Sequence, residues 1–365
     1  MIAALIAAAA VSAACNLEKP SGQPGCTRAA VDALPMNAIQ AIGTHNSYKM
    51  AIAPNEMAMI RAANAREADG IDYSHPPLTQ QLDAGARQLE IDIVYDPDTG
   101  LYAGPTGFKM AGANAVPYDF APYRQPGLKV VHEPSVDYRV TCPLFTQCLK
   151  EVRAWSQKHR DHVPLLILLN LKEGGISMPG AIKAPVFDAK AMDLIDAEIR
   201  SVFPEASLIT PDQVQGKHAT LREAAGAGAW PRLRDARGKV MIALDCPPAQ
   251  VARYRGERKV LEGRAAFVNI EEGSPAAAYI TLNEPKEQAA RIAAAVKAGL
   301  IVRTRADADT REARTNDTSR QTAAFASGAQ YISTDYMTPD TRFGPYVAKL
   351  PGGGAARLSP VQPGS

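Results

Sequence analysis

The residues that could do chemistry in this chain are polar side chains at the tips of apolar runs. Ile39 to Thr44 leads into His45-Asn46, Gln88 to Val94 carries Glu90-Ile91-Asp92, Lys129 to His132 leads into Glu133, and LLILL leads into Asn170-Leu171-Lys172-Glu173. On a strand, side chains two apart share a face, so Glu90 and Asp92 are expected to point the same way. Two carboxylates on one face repel unless a cation stands between them. Oxygen donors suit a hard ion, so the pair, with Asn46, is expected to hold calcium or magnesium rather than zinc. The competing expectation is ion pairing of the same carboxylates with Arg87 or Lys172. His45 and His132, ending the first and third runs, form an expected general acid/base pair around a phosphorus, one taking a proton and the other giving one.

Basic groups extend the set. Lys172 shares a face with Asn170 and is placed to meet an anionic oxygen, while Arg303 and Arg305, alternating with Thr304, suit a phosphate. Asp307 and Asp309 are the alternative partners for those guanidiniums. Asp335 and Tyr336, in the STDY stretch, are expected at the rim of the same site. His75, His159, His162 and His218 fall at helix ends or in loops and carry less weight.

Such tips need a scaffold that gathers strand ends. Strands are expected at Ile39 to Thr44, Gln88 to Val94, Lys129 to His132, Leu165 to Lys172, Lys239 to Asp245, Ala265 to Ile270, Leu300 to Arg305 and Gln330 to Thr334. Helical patterns lie between them, at Leu78 to Ala86, Leu144 to His159, Ala189 to Phe203, Thr220 to Ala225, Glu284 to Ala298 and Glu312 to Ser327. The alternation implies an α/β chain with a parallel sheet, and short, near-continuous apolar strands favour a closed barrel over an open doubly wound sheet. A parallel barrel gathers its active site at the carboxyl ends of the strands, which is where the polar tips fall. Loops from Asp96 to Gly127 and from Gly174 to Pro185 are long enough to line it, and the tail from Pro351 is expected to be loop.

Composition narrows the function classes. Forty Lys and Arg against thirty-eight Asp and Glu, with no long like-charge run, leave no electrostatic stripe for nucleic acid. A hydrophobic fraction of 46% and a charged fraction of 21% are those of a chain that buries a core. The dinucleotide, GxxxxGK and GxSxG patterns are missing, and no protein partner is evident. MIAALIAAAAVSAA, at 1–14, reads as an export signal too short to span a bilayer, which places the chain in a secreted or periplasmic setting. Ser12-Ala13-Ala14-Cys15 also forms an imperfect lipobox, so Cys15 is lipidated, cleaved off or bridged to Cys26. Cys142 and Cys148 are spaced to close a short disulfide loop, and the partners of Cys26 and Cys246 stay open. The expected organisation is a leader over 1–14, an extension over 15–35, one domain over 36–350 and a tail over 351–365.

Taken in order, GTHNSYK (43–49), LEIDI (89–93), VVHEP (130–134), PLLILLNLKE (164–173), TLREA (220–224) and VRTRADADT (302–310) resemble bacterial calcium-dependent phosphoinositide phospholipases C over nearly the whole chain. The resemblance implies a distorted TIM-type (β/α)8 barrel. It implies a phosphodiesterase that cleaves phosphatidylinositol to diacylglycerol and an inositol phosphate through a cyclic intermediate, in transient contact with a membrane surface. By the same resemblance His45 and His132 are the catalytic pair, and Asn46, Glu90 and Asp92 match calcium ligands. Where animal enzymes end the fourth strand in a glutamate, this chain has Lys172 or Glu173, and Asn170 is the expected substitute ligand. Asn170 also matches a ligand position of glycerophosphodiester phosphodiesterases, which makes water attack on a glycerophosphodiester the nearest rival. A barrel that binds lipid or glycan without catalysis is the other alternative.

Overall fold

The structure, a computed structural model, describes residues 11–12 and 14–364, so the expected leader lies almost wholly outside the described residues. Its strands are β1 (Ile39–Thr44), β2 (Gln88–Val94), β3 (Lys129–Val130), β4 (Leu165–Leu171), β5 (Leu208–Ile209), β6 (Val240–Leu244), β7 (Phe267–Val268), β8 (Tyr279–Thr281), β9 (Ile301–Arg305), β10 (Tyr331–Thr334) and β11 (Ala356–Leu358). Leucine-rich and β-branched runs form them because both faces can be buried. The residues from Leu165 to Leu169 are all buried, and each such side chain contributes roughly 1.5–3 kcal/mol.

From β1, parallel neighbours run through β2, β4, β6 and β7 on one side and through β10, β9 and β8 on the other. The two arms meet at a parallel bridge between Asn269 and Tyr279, reinforced by the Thr281 N–H donating to Asn269 Oδ1 at 3.0 Å. The sheet thus curls into a distorted TIM-type barrel. Gly43 opposite Gln88 is the register pair joining β1 to β2, and a Cβ on Gly43 would fall 2.4 Å from the Gln88 carbonyl oxygen. Only glycine lets these two strands, which carry the first histidine and the acidic pair, approach so closely.

The barrel strands differ from the expected set. β3 runs antiparallel on β2, with Ile93 opposite Val130, so it is a rib on the barrel and not a stave. Its place is taken by β8, a short run after three alanines whose apolar length is too small to stand out. The tail from Pro351 is not all loop: β11 lies antiparallel on β1, with Ile39 opposite Leu358. The single helix expected from Glu312 to Ser327 is two, Arg311–Thr315 and Ser319–Ala326, because Asn316 turns left-handed at φ 51° and Asp317 caps the second through the Ser319 N–H.

Beyond the strands' amino ends, the extension is fastened by Glu18, which accepts from Arg87 Nε at 2.5 Å and from the Val163 N–H at 2.8 Å. Arg87 is therefore committed to Glu18 and is not a partner of the acidic pair. Of the three alternatives for Cys15, the structure has the bridge to Cys26. The Cys142–Cys148 disulfide forms at the entrance of the helix Phe145–Lys158, and Cys246 is buried and free.

Candidate functional site

At the end of β1 the chain turns sharply, with Asn46 in the left-handed region at φ 46°. Ser47 clamps this turn to β2: its Oγ accepts from the Glu90 N–H at 2.8 Å, and its own N–H donates to the Glu90 carbonyl at 2.9 Å. His45 is thereby held beside β2. Its Nδ1 lies 2.9 Å from Asp335 Oδ1 beyond β10, and its Nε2 lies 3.7 Å from Glu90 Oε1. Burial would raise the Asp335 carboxyl, but His45, His75 and Arg305 outweigh it and hold the group well below the ordinary carboxylate range. Burial, and then the Arg305 guanidinium, lower the His45 pKa against the pull of Asp335 and Glu90. The ring is neutral near pH 7, and donation from Nδ1–H to the carboxylate leaves Nε2 as a proton acceptor.

His132 stands just past β3 and repeats the arrangement, with Nδ1 2.8 Å from Asp137 Oδ2. A tight turn closes the five-residue step, the Glu133 N–H donating to the Asp137 carbonyl at 3.1 Å. Burial would raise the Asp137 carboxyl as well, but Lys49, whose Nζ donates at 2.9 Å, and His132 carry it below the ordinary range. Two His–Asp dyads therefore face one cavity of about 770 Å³, which both imidazoles line with Tyr73, Arg305, Arg311 and Arg314. Behind them His75 donates from Nε2 to the His45 carbonyl at 2.8 Å.

The acidic pair sits inside the barrel mouth. Glu90 accepts at Oε1 from Asn170 Nδ2 at 2.8 Å and at Oε2 from Arg303 Nη2 at 2.5 Å. Asp92 is 0% exposed, and Lys172 Nζ lies 2.9 Å from its Oδ2 as an ion pair. Asn46 Oδ1 accepts from the Tyr48 hydroxyl at 3.3 Å, and its Nδ2 donates to the Tyr73 hydroxyl at 2.8 Å. Burial works against the charge on Lys172, but Asp92, Glu90 and Glu133 outweigh it and raise its pKa. Among the described residues no three His, Cys, Asp or Glu side chains form a ready-made cage. The donor set is two carboxylates and two amides, and the buried Asp92 carboxylate, which demands a positive charge beside it, fits a bound cation.

A second cavity, of about 540 Å³, adjoins the first and is lined by Met59, Ile60, Ile71, Met110, Val136, Ile176 and Met178. His132 and Asp137 are in its wall too. One imidazole thus faces a polar cavity on one side and an apolar one on the other.

Several expected substrate contacts fall elsewhere. Arg303 is buried against Glu90 and Asn283 and lines neither cavity. Lys172 is spent on Asp92. Tyr336 packs with Tyr73, Ala313 and Tyr346 behind Asp335, outside the cavity shared by the histidines. Arg305 does line that cavity, braced by the Asp307 carbonyl at 3.0 Å and by Asp335 at 3.4 Å. Sequence reasoning missed Arg311 and Arg314, whose three-residue spacing on one helical turn was the available signal. It also missed Lys49 and Asp137, because neither lies on an apolar run.

Comparison with known proteins bears on the family and the fold of the chain. The sequence profile described as "Phosphoinositide phospholipase C, Ca2+-dependent" matches residues 34–360. The chain resembles the calcium-dependent phosphoinositol-specific phospholipase C of a Pseudomonas species, solved in apo form and with myoinositol, at 17% identity and a TM-score of 0.54 over 89% of this chain and 96% of that one. It also resembles the Ca2+-dependent phosphatidylinositol-specific phospholipase C of Streptomyces antibioticus at 18% identity and a TM-score of 0.53, over 83% and 95% of the two chains. At these identities the solved structures speak for the fold. No curated protein matches the chain significantly.

Proposed function

The chain belongs to the Ca2+-dependent phosphoinositide phospholipase C family, and from that premise we propose that it cleaves phosphatidylinositol-type phospholipids to diacylglycerol and a cyclic inositol phosphate, with His45 as general base and His132 as general acid. The observation that carries this reading is the position of His132 between the charged cavity it shares with His45 and the apolar cavity next door. A phosphodiester that joins a polyol to a lipid needs that asymmetry around its phosphorus.

In the first step His45 Nε2 takes the proton of the inositol hydroxyl adjacent to the phosphodiester. That oxygen bonds to phosphorus, the bond from phosphorus to the glycerol oxygen breaks, and His132, protonated and braced by Asp137, gives a proton to the departing oxygen. A neighbouring hydroxyl needs only deprotonation and in-line placement, whereas water must be ordered from solution. Water then opens the cyclic ester with the histidines in exchanged roles. Arg305, Arg311 and Arg314 supply positive charge on the headgroup side.

The buried Asp92 oxygens support calcium as cofactor, with Asn46, Glu90, Asp92 and Asn170 as the residues that would hold it. When bound, calcium lowers the charge on the phosphate and acidifies the attacking hydroxyl. Two disulfides support work in an oxidising setting outside the cytosol. Met110, 60% exposed at the mouth of the apolar cavity, supports transient contact with a lipid surface. Among the described residues no helix is long and apolar enough to cross a membrane. The catalytic unit in this reading is the barrel from Met36 onward, with β11 included.

An activity panel tests the reading. Phosphatidylinositol, phosphatidylcholine and glycerophosphodiesters are offered with calcium and with a chelator. Turnover of phosphatidylinositol with calcium is expected. Glycerol phosphate released from the glycerophosphodiesters, with phosphatidylinositol untouched, would favour water attack instead.

A further inference from the structure

We infer that the Lys172 ammonium is a built-in competitor for the cation site: it neutralises Asp92 in the metal-free protein and must leave before calcium binds there. The inference rests on the calcium assignment above. Lys172 Nζ lies 2.9 Å from Oδ2 of the buried Asp92, so this ion pair is its direct charge compensation. Glu90 already has a cation of its own in Arg303. With both basic groups in place, the two carboxylates Asp92 and Glu90 are each matched by a basic partner, Lys172 and Arg303. A divalent ion entering between these carboxylates would meet an ammonium at contact distance from one of its ligands.

The two basic groups differ in their freedom to move. The Arg303 side chain is 2% exposed and is held at one nitrogen by Glu90 and at another by Asn283. The Lys172 side chain is 37% exposed, follows the last residue of β4, and swings on a flexible four-carbon stem. Departure of Lys172 frees the Asp92 carboxylate, while Arg303 stays as a structural counter-ion of Glu90. Ligand charge count sets calcium affinity, so a site with this competitor binds weakly, in the range of about 10⁻⁴–10⁻³ M seen for extracellular modules.

The test is calcium titration calorimetry on the metal-free full chain, without substrate, for wild type, Lys172→Met, Lys172→Arg and Asp92→Asn, with circular dichroism of each variant. Lys172→Met is expected to bind calcium at least ~10-fold more tightly than wild type and to show a larger calcium-induced rise in melting temperature, because the competing charge is gone while the stem remains. Lys172→Arg is expected to bind no more tightly than wild type. If Lys172→Met binds no tighter while Asp92→Asn still abolishes binding, the competitor is overturned and the calcium site stands. If Asp92→Asn leaves binding unchanged, or no variant takes up calcium, the site assignment falls and the inference with it.

Discussion

The Nδ1 atom of His45 lies 2.9 Å from Oδ1 of Asp335, a carboxylate held ionised by the basic groups around it. This bond fixes the tautomer that leaves Nε2 free to accept a proton, so the carboxylate acts through the imidazole. Asp335→Asn is expected to lower kcat/KM by about 10²–10⁴ while keeping the fold, and His45→Ala to cost about as much. Because the two residues work as a unit, the double variant is expected to be little worse than either alone. Steady-state kinetics on phosphatidylinositol for the three variants checks this, and additive losses would separate the residues.

Lys49 is buried with its ammonium on Asp137, the carboxylate that orients His132. Lys49→Met removes one partner of a buried pair and leaves Asp137 with His132 alone. Such a change costs about 3–5 kcal/mol of stability. Urea denaturation of wild type and variant measures it, and a loss below about 1 kcal/mol, the scale of an exposed pair, would mean that the pair is not buried in solution.

The strands that carry these residues are largely legible in the sequence. β4 and β6 are near-continuous apolar runs, and β1, β2, β9 and β10 mix apolar and β-branched residues with the polar ones that face the site. The direction of pairing is not written locally, which is why Lys129–Val130 reads as a stave and folds as a rib. Long-range charge pairing is equally silent. Arg303 and Glu90 are 213 residues apart, and nothing near either one indicates that β9 sends its guanidinium across the barrel to β2. Pairing of Lys172 with Asp92 was legible as an alternative, because the two sit opposite each other's neighbours on adjoining strands, Asp92 beside Asn170.

The apolar cavity should matter for lipids and not for soluble phosphodiesters. Met178 is part of its lining. Met178→Asp is expected to raise KM for phosphatidylinositol in mixed micelles ~10-fold or more, since a charge now meets an acyl chain. Turnover of soluble cyclic inositol phosphate is expected to change by less than about 2-fold, because that substrate presents no apolar surface to the cavity. Equal losses on both substrates would mean that the loop supports the histidines and not the lipid.

His162 is buried under Trp155, accepting from or donating to Ser156 Oγ at 2.7 Å, and burial pushes its pKa down to about 4. The unfolded chain binds a proton near pH 6.5, well before the folded one does. This group therefore leaves stability intact above about pH 6.5 and removes about 3 kcal/mol as the pH falls toward the folded value. His162→Gln is expected to flatten that part of the stability curve. Denaturation midpoints between neutral and mildly acidic pH measure the slope, and an unchanged slope in the variant would assign the acid sensitivity to other groups.

The most direct measurement follows phosphorus NMR of phosphatidylinositol micelles during turnover by wild type, His45→Ala and His132→Ala with calcium present. The proposed roles of the two histidines predict a cyclic inositol phosphate resonance that rises first and converts slowly to the monoester in the wild type, with neither resonance appearing at a comparable rate in the variants. A monoester that forms with no cyclic precursor, or a His132→Ala variant that keeps wild-type turnover, would contradict the account.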